Sequence, residues 1–265
     1  MRKVLFPVLL FLLLAAHAVA AAADSVAVNI PDETLNYKVM FKWGFINKKA
    51  GSAKLSLRRT PQGYTSQLTA ASEPWADRIY RLRDTLNGRM EPDGFRPLFY
   101  EKIAHEGAEH KHDVVTYDYT HPGVVAADCS RKVFNKGVLK IDERRRMEAE
   151  HRAVDMLTSF YFMRSLPFQD MLPGESTSVA IFSGKQKETL TIDYVGIENV
   201  EVDGGTYPAY HVTFLFTTKG GRQSSDSMDA WIATGPGRIP LKLEGKLPVG
   251  KVRCYFTGKD DASSK

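Results

Sequence analysis

Apolar and polar residues alternate at the spacing of a β-strand along most of this chain. From Leu35 to Trp43 every second residue is apolar or aromatic, and lysine or asparagine fills most of the positions between them. Successive side chains of a strand point to opposite faces, so this segment predicts a strand with one buried face. Turn signals rich in glycine, proline and asparagine separate further segments of this kind. The chain therefore predicts a succession of β-hairpins.

One segment has the spacing of an α-helix instead. It runs from Asp155 to Pro167 with the sequence DMLTSFYFMRSLP. Asp155 can accept hydrogen bonds from the first-turn amides, and Pro167 stops the helix. We expect the sheet to cover the apolar half of this helix. The residues of that half are Met156, Leu157, Phe160, Tyr161 and Met163, extended by Val154.

A shorter helix is predicted between the third and fourth strand-like segments. Ser72 can cap its first turn, which contains Pro74. Trp75, Ile79 and Leu82 then recur at the spacing of one helix face.

The order of these segments predicts an all-β fold with one or two helices. A flat sheet of so many strands would leave unprotected edges, so we expect a strongly curved antiparallel sheet or open barrel with a helix packed against it. No internal repeat or linker-like segment divides the chain. We expect a single β-rich domain over residues 24–258 and a polar tail over residues 259–265.

The first 23 residues have the composition of a secretory signal peptide. Arg2 and Lys3 precede an apolar run from Val4 to Leu14, and alanine-rich cleavage sites follow. The alternative is an N-terminal membrane anchor, but the run is shorter than the ~20 residues that span a bilayer. We expect residues 1–23 to be removed, leaving a soluble chain that is periplasmic or otherwise exported.

The charge of the chain argues against nucleic acid as a partner. The formal net charge of +5 falls to +3 once Arg2 and Lys3 are removed, which is mild. A basic segment from Arg131 to Arg146 is interrupted by Asp142 and Glu143, which is typical of a solvated face, although it could also meet an anionic envelope surface. No later apolar stretch is long enough to span a membrane, so we expect no transmembrane span in the mature chain.

Three segments carry a resemblance to a known family. They are YKVMFKWGFINKKAGSA from Tyr37 to Ala53, the helical DMLTSFYFMRSLPF, and MDAWIATGPGRIPLKLEGKLPVGKVRCYF near the C-terminus. Together they resemble the exported domain-of-unknown-function family numbered 3108 of Gram-negative bacteria, over nearly the whole mature chain. The resemblance implies an exported, β-rich single domain and no established activity.

Three of the seven histidines lie in the segment HEGAEHKH, from His105 to His112. A zinc-protease motif places its histidines four residues apart on a helix, whereas His105 and His110 are five apart. On a strand, His110 and His112 would share a face and His105 would point to the other. We therefore expect a solvated hairpin tip and no metal site.

No local motif predicts an enzyme or a cofactor. The chain lacks G-x-S-x-G, a cysteine and histidine in a catalytic pattern, and a phosphate-binding glycine loop that opens a helix. We expect a non-enzymatic protein, with an unrecognised hydrolase assembled from distant strands as an alternative.

Two cysteines, Cys129 and Cys254, both lie in strand-like segments. An exported protein could pair them in a disulfide, or they could be two separate buried thiols. Their spacing does not distinguish these alternatives.

A ligand site is predicted from one charged residue and several aromatic residues. Arg164 falls among the apolar residues of the predicted helix, where it could bind the acidic end of an amphiphile or only the last carbonyls of its own helix. The aromatic residues could line a cavity or form core. The candidates are Trp43, Phe45, Trp75, Phe160, Arg164, Phe214, Phe216 and Trp231.

These observations lead to one functional hypothesis and one rival. The first is an envelope protein that binds a lipid-like ligand, or an apolar segment of a partner envelope protein, in the groove of its curved sheet. The rival is a structural or scaffolding envelope protein whose core is filled.

Overall fold

A computed structural model describes residues 28–218, 220–246 and 250–260 of the chain. The predicted signal peptide lies outside these residues. The strands are β1 (Glu33–Trp43), β2 (Ile46–Thr60), β3 (Gly63–Ser72), β4 (Leu82–Met90), β5 (Pro97–Glu106), β6 (Glu109–Asp118), β7 (Val124–Asn135), β8 (Val138–Glu150), β9 (Ala153–Val154), β10 (Ser176–Phe182), β11 (Lys187–Val202), β12 (Gly205–Thr217), β13 (Met228–Ala233), β14 (Pro240–Lys246) and β15 (Lys251–Lys259). The helices are α1 (Pro74–Tyr80) and α2 (Thr158–Arg164).

All of these strands belong to one sheet that nearly closes into a barrel. The strand order is β8-β7-β6-β5-β4-β3-β2-β1-β15-β14-β13-β12-β11-β10-β9. Neighbours are antiparallel except β9 and β10, which run parallel. Strand β1 pairs with β15, so the two ends of the described chain meet in the middle of the sheet. The predicted curved antiparallel sheet with a packed helix is confirmed.

Helix α2 is covered on both sides, whereas the sequence predicted one covered half. On one side, Tyr161 of α2 and Leu157, the residue just before α2, pack into the core formed by β1 to β8. On the other side, Phe162 and Met163 pack into the core formed by β10 to β14. Met156 is 37% exposed, although the helical projection placed it on the buried half. The sheet therefore wraps around α2 and encloses it.

The start of α2 is fixed by Asp155, as predicted, but the helix is shorter than the segment from Asp155 to Pro167. The carboxylate Oδ1 of Asp155 accepts hydrogen bonds from the amides of Leu157 at 2.9 Å and Thr158 at 2.8 Å. Thr158 Oγ1 accepts a bond from the Asp155 amide at 3.1 Å in return. Burial raises the pKa of Asp155 to about 6, against the opposing effect of these bonds.

Helix α1 differs from its prediction in two respects. Ser72 does not cap it, because the Ser72 hydroxyl accepts a hydrogen bond from the amide of Leu82 at 2.9 Å, at the start of β4. Ile79 is 78% exposed and does not share a buried face with Trp75. Both helices have seven residues, and none in the described part of the chain has the length and apolarity needed to cross a bilayer.

The final strand continues past the predicted boundary at residue 258. Strand β15 extends to Lys259, and the Asp260 carboxylate accepts hydrogen bonds from Asn36 at 2.5 Å and Lys54 at 2.8 Å. The remainder of the predicted polar tail, residues 261–265, lies outside the described residues.

Candidate functional site

Arg164, the predicted anchor for an acidic ligand, is fully buried and already paired inside the protein. Its Nη1 lies 2.7 Å from Glu33 Oε1, and its Nε donates to the carbonyl of Gly237 at 3.0 Å. Lys259 Nζ lies 3.3 Å from the other carboxylate oxygen of Glu33. These contacts join α2 to β1, to β15 and to the turn before β14. A ligand reaching Arg164 would have to displace this ion pair.

Arg238, which the sequence analysis did not single out, binds the C-terminal end of α2. Its Nη1 donates to the carbonyl of Arg164 at 3.1 Å and to that of Leu166. Its guanidinium lies 5.6 Å from the ring centres of both Phe168 and Tyr210. Arginine side chains commonly satisfy the last carbonyls of a helix. No local sequence signal pointed to Arg238, since the partners are distant in the chain.

The predicted aromatic ligand residues do not converge on one site. Trp43 is 55% exposed and Phe45 is fully exposed, both beside the turn between β1 and β2. Trp75 lies on α1, where its indole donates to the carbonyl of Lys49 at 2.7 Å.

The remaining aromatic candidates are divided among different parts of the core. Phe214 is buried and Phe216 is half-buried in the core that holds one side of α2, and Phe160 of α2 is itself half-buried. Trp231 is buried in a separate apolar cluster with Val200 and Leu241. The eight predicted residues therefore form no common groove.

The histidine segment forms the predicted hairpin tip, but the prediction for His105 is wrong. The turn between β5 and β6 pairs His105 directly with His110, so all three histidines share one face. The Nδ1 atoms of His105 and His110 lie 3.3 Å apart, and His112 Nε2 lies 2.9 Å from Glu101 Oε1. Among the described residues, no group of three or more metal-ligating side chains is arranged to hold a metal ion.

The two cysteines are free thiols that are not bonded to each other. Cys129 lies in β7 and Cys254 in β15, and six strands separate these two in the sheet order. Burial raises the pKa of each thiol to about 11, which keeps both protonated and poorly nucleophilic at neutral pH.

The sheet fails to close between β8 and β10, and we call this gap the seam. Strand β8 pairs with β7 on one edge, and no described strand pairs with its other edge. Strand β9 continues the chain after β8 but pairs with only Ala180 and Ile181 of β10. His151, between β8 and β9, has a φ of 61°, a left-handed conformation that is uncommon for a residue other than glycine. This bend separates the end of β8 from the start of β10.

A groove of about 620 Å³ lies along the seam, and we call it the seam groove. It is lined by Glu148–Arg152 on one side and by Thr177–Ala180 with Lys187–Thr189 on the other. Phe162 of α2 also lines it, so this groove reaches the helix. Lys187 Nζ donates to the carbonyl of Glu148 at 2.7 Å. A side chain therefore spans the gap where backbone groups of neighbouring strands would normally bond.

Arg152 places in the seam groove a guanidinium group with one N–H that is unpaired within the described part of the chain. Its guanidinium lies 4.8 Å from the ring centre of Phe162, and its Nη2 donates to the carbonyl of Gly94 at 2.6 Å. Its Nε is buried and has no hydrogen-bond partner among the described residues. Burial lowers the pKa of Arg152. The groove also carries carboxylates, including Glu148, Glu150 and Glu188, so its charges are of both signs.

The free edge of β8 presents every second residue's backbone groups to the seam. The amide of His151 donates to the carbonyl of Gly123, so these two residues form a hydrogen-bonded pair of the antiparallel ladder. Hydrogen-bonded and non-hydrogen-bonded pairs alternate along such a ladder. The odd-numbered residues of β8 from Ile141 to Ala149 therefore bond to β7 through their backbone. The even-numbered residues therefore point their amides and carbonyls away from β7. The bond from Lys187 to the Glu148 carbonyl agrees with this assignment.

Other grooves lie elsewhere on the described surface, and three of them are close to the seam groove in size. The largest of these three, about 750 Å³, is lined by residues of β1 to β5 and β15. Lysine and arginine residues line it, but Lys49, Lys54 and Arg83 are paired with Glu73, Asp260 and Asp77. None of these three grooves is lined by a residue of α2.

Comparisons with solved structures show a shared fold. A β-barrel-like protein of domain of unknown function DUF1849 from Brucella abortus is similar with a TM-score of 0.59 at 10% identity, over 88% of this chain and 99% of that chain. A protein with a YmcC-like fold from Bacteroides fragilis NCTC 9343 gives a TM-score of 0.37 at 7% identity, over 90% of this chain and 100% of that chain. At such identities the likeness concerns the fold alone, and the lower TM-score carries no argument.

The sequence itself identifies a family. A comparison with curated proteins gives no match. Residues 36–257 match the family described as "Protein of unknown function (DUF3108)", which confirms the resemblance found in the sequence. The match covers the whole sheet except the first residues of β1 and the last residues of β15. The chain therefore belongs to the DUF3108 family.

Proposed function

We propose that this protein is a non-enzymatic binding protein of the cell envelope, and that its ligand is an extended polypeptide segment held in the seam groove by strand addition. The observation that carries the proposal is the unpaired edge of β8 beside that groove. Unpaired strand edges offer a row of amides and carbonyls that an extended chain can satisfy. The predicted signal peptide supports an exported location.

The filled interior favours a site on the sheet edge over one inside the barrel. The side chains of α2 and of Leu157 just before it pack against the inside of the sheet, with Leu157 and Tyr161 on one side and Phe162 and Met163 on the other. This packing argues against the predicted cavity between helix and sheet. The other predicted ligand, an apolar segment of a partner protein, needs no internal cavity if it binds at the edge of the sheet.

The lining of the seam groove favours a polypeptide over a lipid-like ligand. Ala149, Val179 and Ala180 offer small apolar surfaces, which suit alternate side chains of a strand. Arg152 could attract an acidic head group, but the carboxylates of Glu148 and Glu150 would repel it. Backbone groups and charges of both signs suit a peptide, whose own backbone supplies donors and acceptors alternately.

A labelled peptide tests this proposal. The probe is a fluorescent decapeptide of alternating threonine and valine with lysine at both ends, and the control is the same peptide with N-methylated amides that cannot donate. We expect saturable binding of the first peptide only. The Thr189→Trp variant should block binding, because Thr189 is exposed and lines the groove. Thr65→Trp, at an exposed threonine of β3, is the matched control and should bind normally.

A different result would contradict the proposal. If a fluorescent fatty acid binds and is blocked by Thr189→Trp, while no peptide binds, the groove takes an amphiphile instead. If neither probe binds, the groove is not a binding site.

A further inference from the structure

The free edge of β8 has a sequence that can pair with itself. We propose that the segment which occupies the seam is β8 of a second copy of this chain, paired antiparallel over Ile141–Met147 with Arg144 on the two-fold axis. This inference rests on the proposed function, because it names the partner that adds its strand there. A symmetric dimer of this kind uses the same surface twice.

The charges of this segment match in that register. With Arg144 on the axis, Asp142 of one copy lies opposite Arg146 of the other, and Glu143 lies opposite Arg145. By symmetry each of these pairs occurs twice, and Ile141 lies opposite Met147 at both ends. Opposite charges directly across two strands stabilise a pair, and like charges destabilise it. The one like-charged contact is between the two copies of Arg144.

Other symmetric registers match less well. With Glu143 on the axis, the two glutamates would meet each other and Ile141 would face Arg145. With Arg145 on the axis, Arg144 would face Arg146 twice. These side chains already form ion pairs within their own chain: Asp142 with Lys132, Glu143 with Arg145, and Arg146 with Asp118, Asp128 and Glu148. They are 41–49% exposed, and exposed pairs contribute so little that exchanging them for pairs across the dimer costs little.

The backbone supports the same register independently of the charges. The even-numbered residues of β8 direct their amides and carbonyls toward the seam, as the contacts of His151 and Glu148 show. A two-fold axis at Arg144 places even-numbered residues of one copy opposite even-numbered residues of the other. All the free donors and acceptors of Asp142, Arg144 and Arg146 would then be satisfied.

The same arrangement brings an apolar segment to the seam groove. Val138 and Leu139, at the start of β8, are 56% and 47% exposed, which is unusual for neighbouring apolar residues on a strand edge. In an antiparallel pair they would lie beside Ala149 and Glu150 of the other copy, which line the groove. The exposed end of one β8 would thus be covered by the groove of its partner.

Sedimentation analysis of the mature protein over a range of concentrations is the first test. We expect a reversible dimer. Arg144→Pro removes an amide that points toward the seam and should weaken the dimer about tenfold or more, while leaving the melting temperature nearly unchanged. The stability measurement shows whether a loss of the dimer reflects a loss of folding.

Disulfide trapping then tests the register. Residues opposite each other in a hydrogen-bonded pair have Cα atoms about 5.5 Å apart, within the range that a disulfide spans. We expect Arg144→Cys to cross-link to itself, and a mixture of Asp142→Cys and Arg146→Cys to cross-link as a heterodimer. Asp142→Cys alone should not, since its copies would lie about 13 Å apart along the strands. The wild-type chain, with its two native cysteines, is the control.

The outcomes separate this inference from the proposed function. A wild-type protein that stays monomeric up to its solubility limit overturns the self-pairing. If that monomer still binds the threonine–valine peptide, the proposed function stands and its partner is another polypeptide. If it binds no peptide, both fail. Cross-linking of Asp142→Cys to itself would also overturn the proposed register.

Discussion

The C-terminal end of α2 and the free edge of β8 both place an arginine beside a glutamate, in opposite surroundings. The side chains of Arg164 and Glu33 are 0% and 2% exposed, and their neighbours are carbonyls and core residues. The side chains of Arg145 and Glu143 are 41% and 47% exposed on a strand edge. A buried charge must keep its partner, because leaving it alone in the core costs several kcal/mol, whereas an exposed pair is nearly free to exchange partners. The buried pair of Arg164 and Glu33 therefore stabilises the fold, whereas the exposed pair of Arg145 and Glu143 can exchange its partners for those of another chain.

Removing the charge of Arg164 is expected to have the largest effect. Arg164→Met leaves the Glu33 carboxylate buried beside Lys259 alone and should lower the free energy of unfolding by about 3 to 5 kcal/mol. The double variant Arg164→Met with Glu33→Gln removes both charges and should recover part of this loss. Urea unfolding of the two variants measures the difference. Equal stability of wild type and Arg164→Met would show that the ion pair is not buried as described.

Two neighbouring phenylalanines of α2 test whether the helix is enclosed on the side of the seam groove. Phe162 is 3% exposed, so Phe162→Ala should cost about 3 to 5 kcal/mol, with loss of packing against β10 to β14. Phe160 is half-buried, and Phe160→Ala should cost less than half as much. Thermal or urea unfolding distinguishes them. The reverse order would mean that the helix is rotated relative to the two cores.

The capping carboxylate of α2 should make stability depend on pH. Burial raises the pKa of Asp155 to about 6 in the folded protein, above the ~3.9 of an unfolded chain. The folded state holds this proton more tightly, so the contribution of Asp155 to stability is greatest below about pH 4 and falls as the pH rises to 6. The fall should be at most about 3 kcal/mol.

Asp155→Asn isolates this effect because asparagine can still cap the helix but carries no charge. The stability of the variant relative to wild type should increase between pH 4 and pH 7, as measured by urea unfolding at both values. A difference that does not change with pH would show that Asp155 titrates as an exposed carboxylate does.

The exposed pair on β8 should give the smallest effect. Glu143→Gln and Arg145→Gln are each expected to change the free energy of unfolding of the monomer by less than about 0.5 kcal/mol. Unfolding must be measured at concentrations where the chain is monomeric. A loss comparable to that of Arg164→Met would mean that this edge is part of the folded core.

The sequence predicted the parts of the fold that depend on neighbouring residues. Alternation from Leu35 to Trp43 and the turn signals gave β1 and its hairpin partner, since hairpins form between consecutive segments. Asp155 was recognised as a cap because its partners lie two and three residues away. The enclosure of Phe162 was missed, because helical projection assumes one buried face and a rolled sheet buries two.

The parts of the site that depend on distant residues could not be predicted. Glu33 lies near the start of the described chain and Arg164 near the middle of the sequence, and neither position alone signals a partner. His105 was placed on the wrong face because the position of a turn decides which residues of a hairpin lie opposite each other. The seam follows from the sheet order and the bend at His151, so β8 looked like any other strand in the sequence.

Hydrogen exchange along β8 tests the central claim, a barrel with an enclosed helix and one open edge. At dilutions where the chain is monomeric, the amides of Arg144 and Arg146 should exchange rapidly, because they point into the seam. The amides of Arg145 and Met147 should be protected, because they bond to β7. Uniform protection of all four amides in the dilute monomer would show that another part of the chain covers this edge, and would contradict the account.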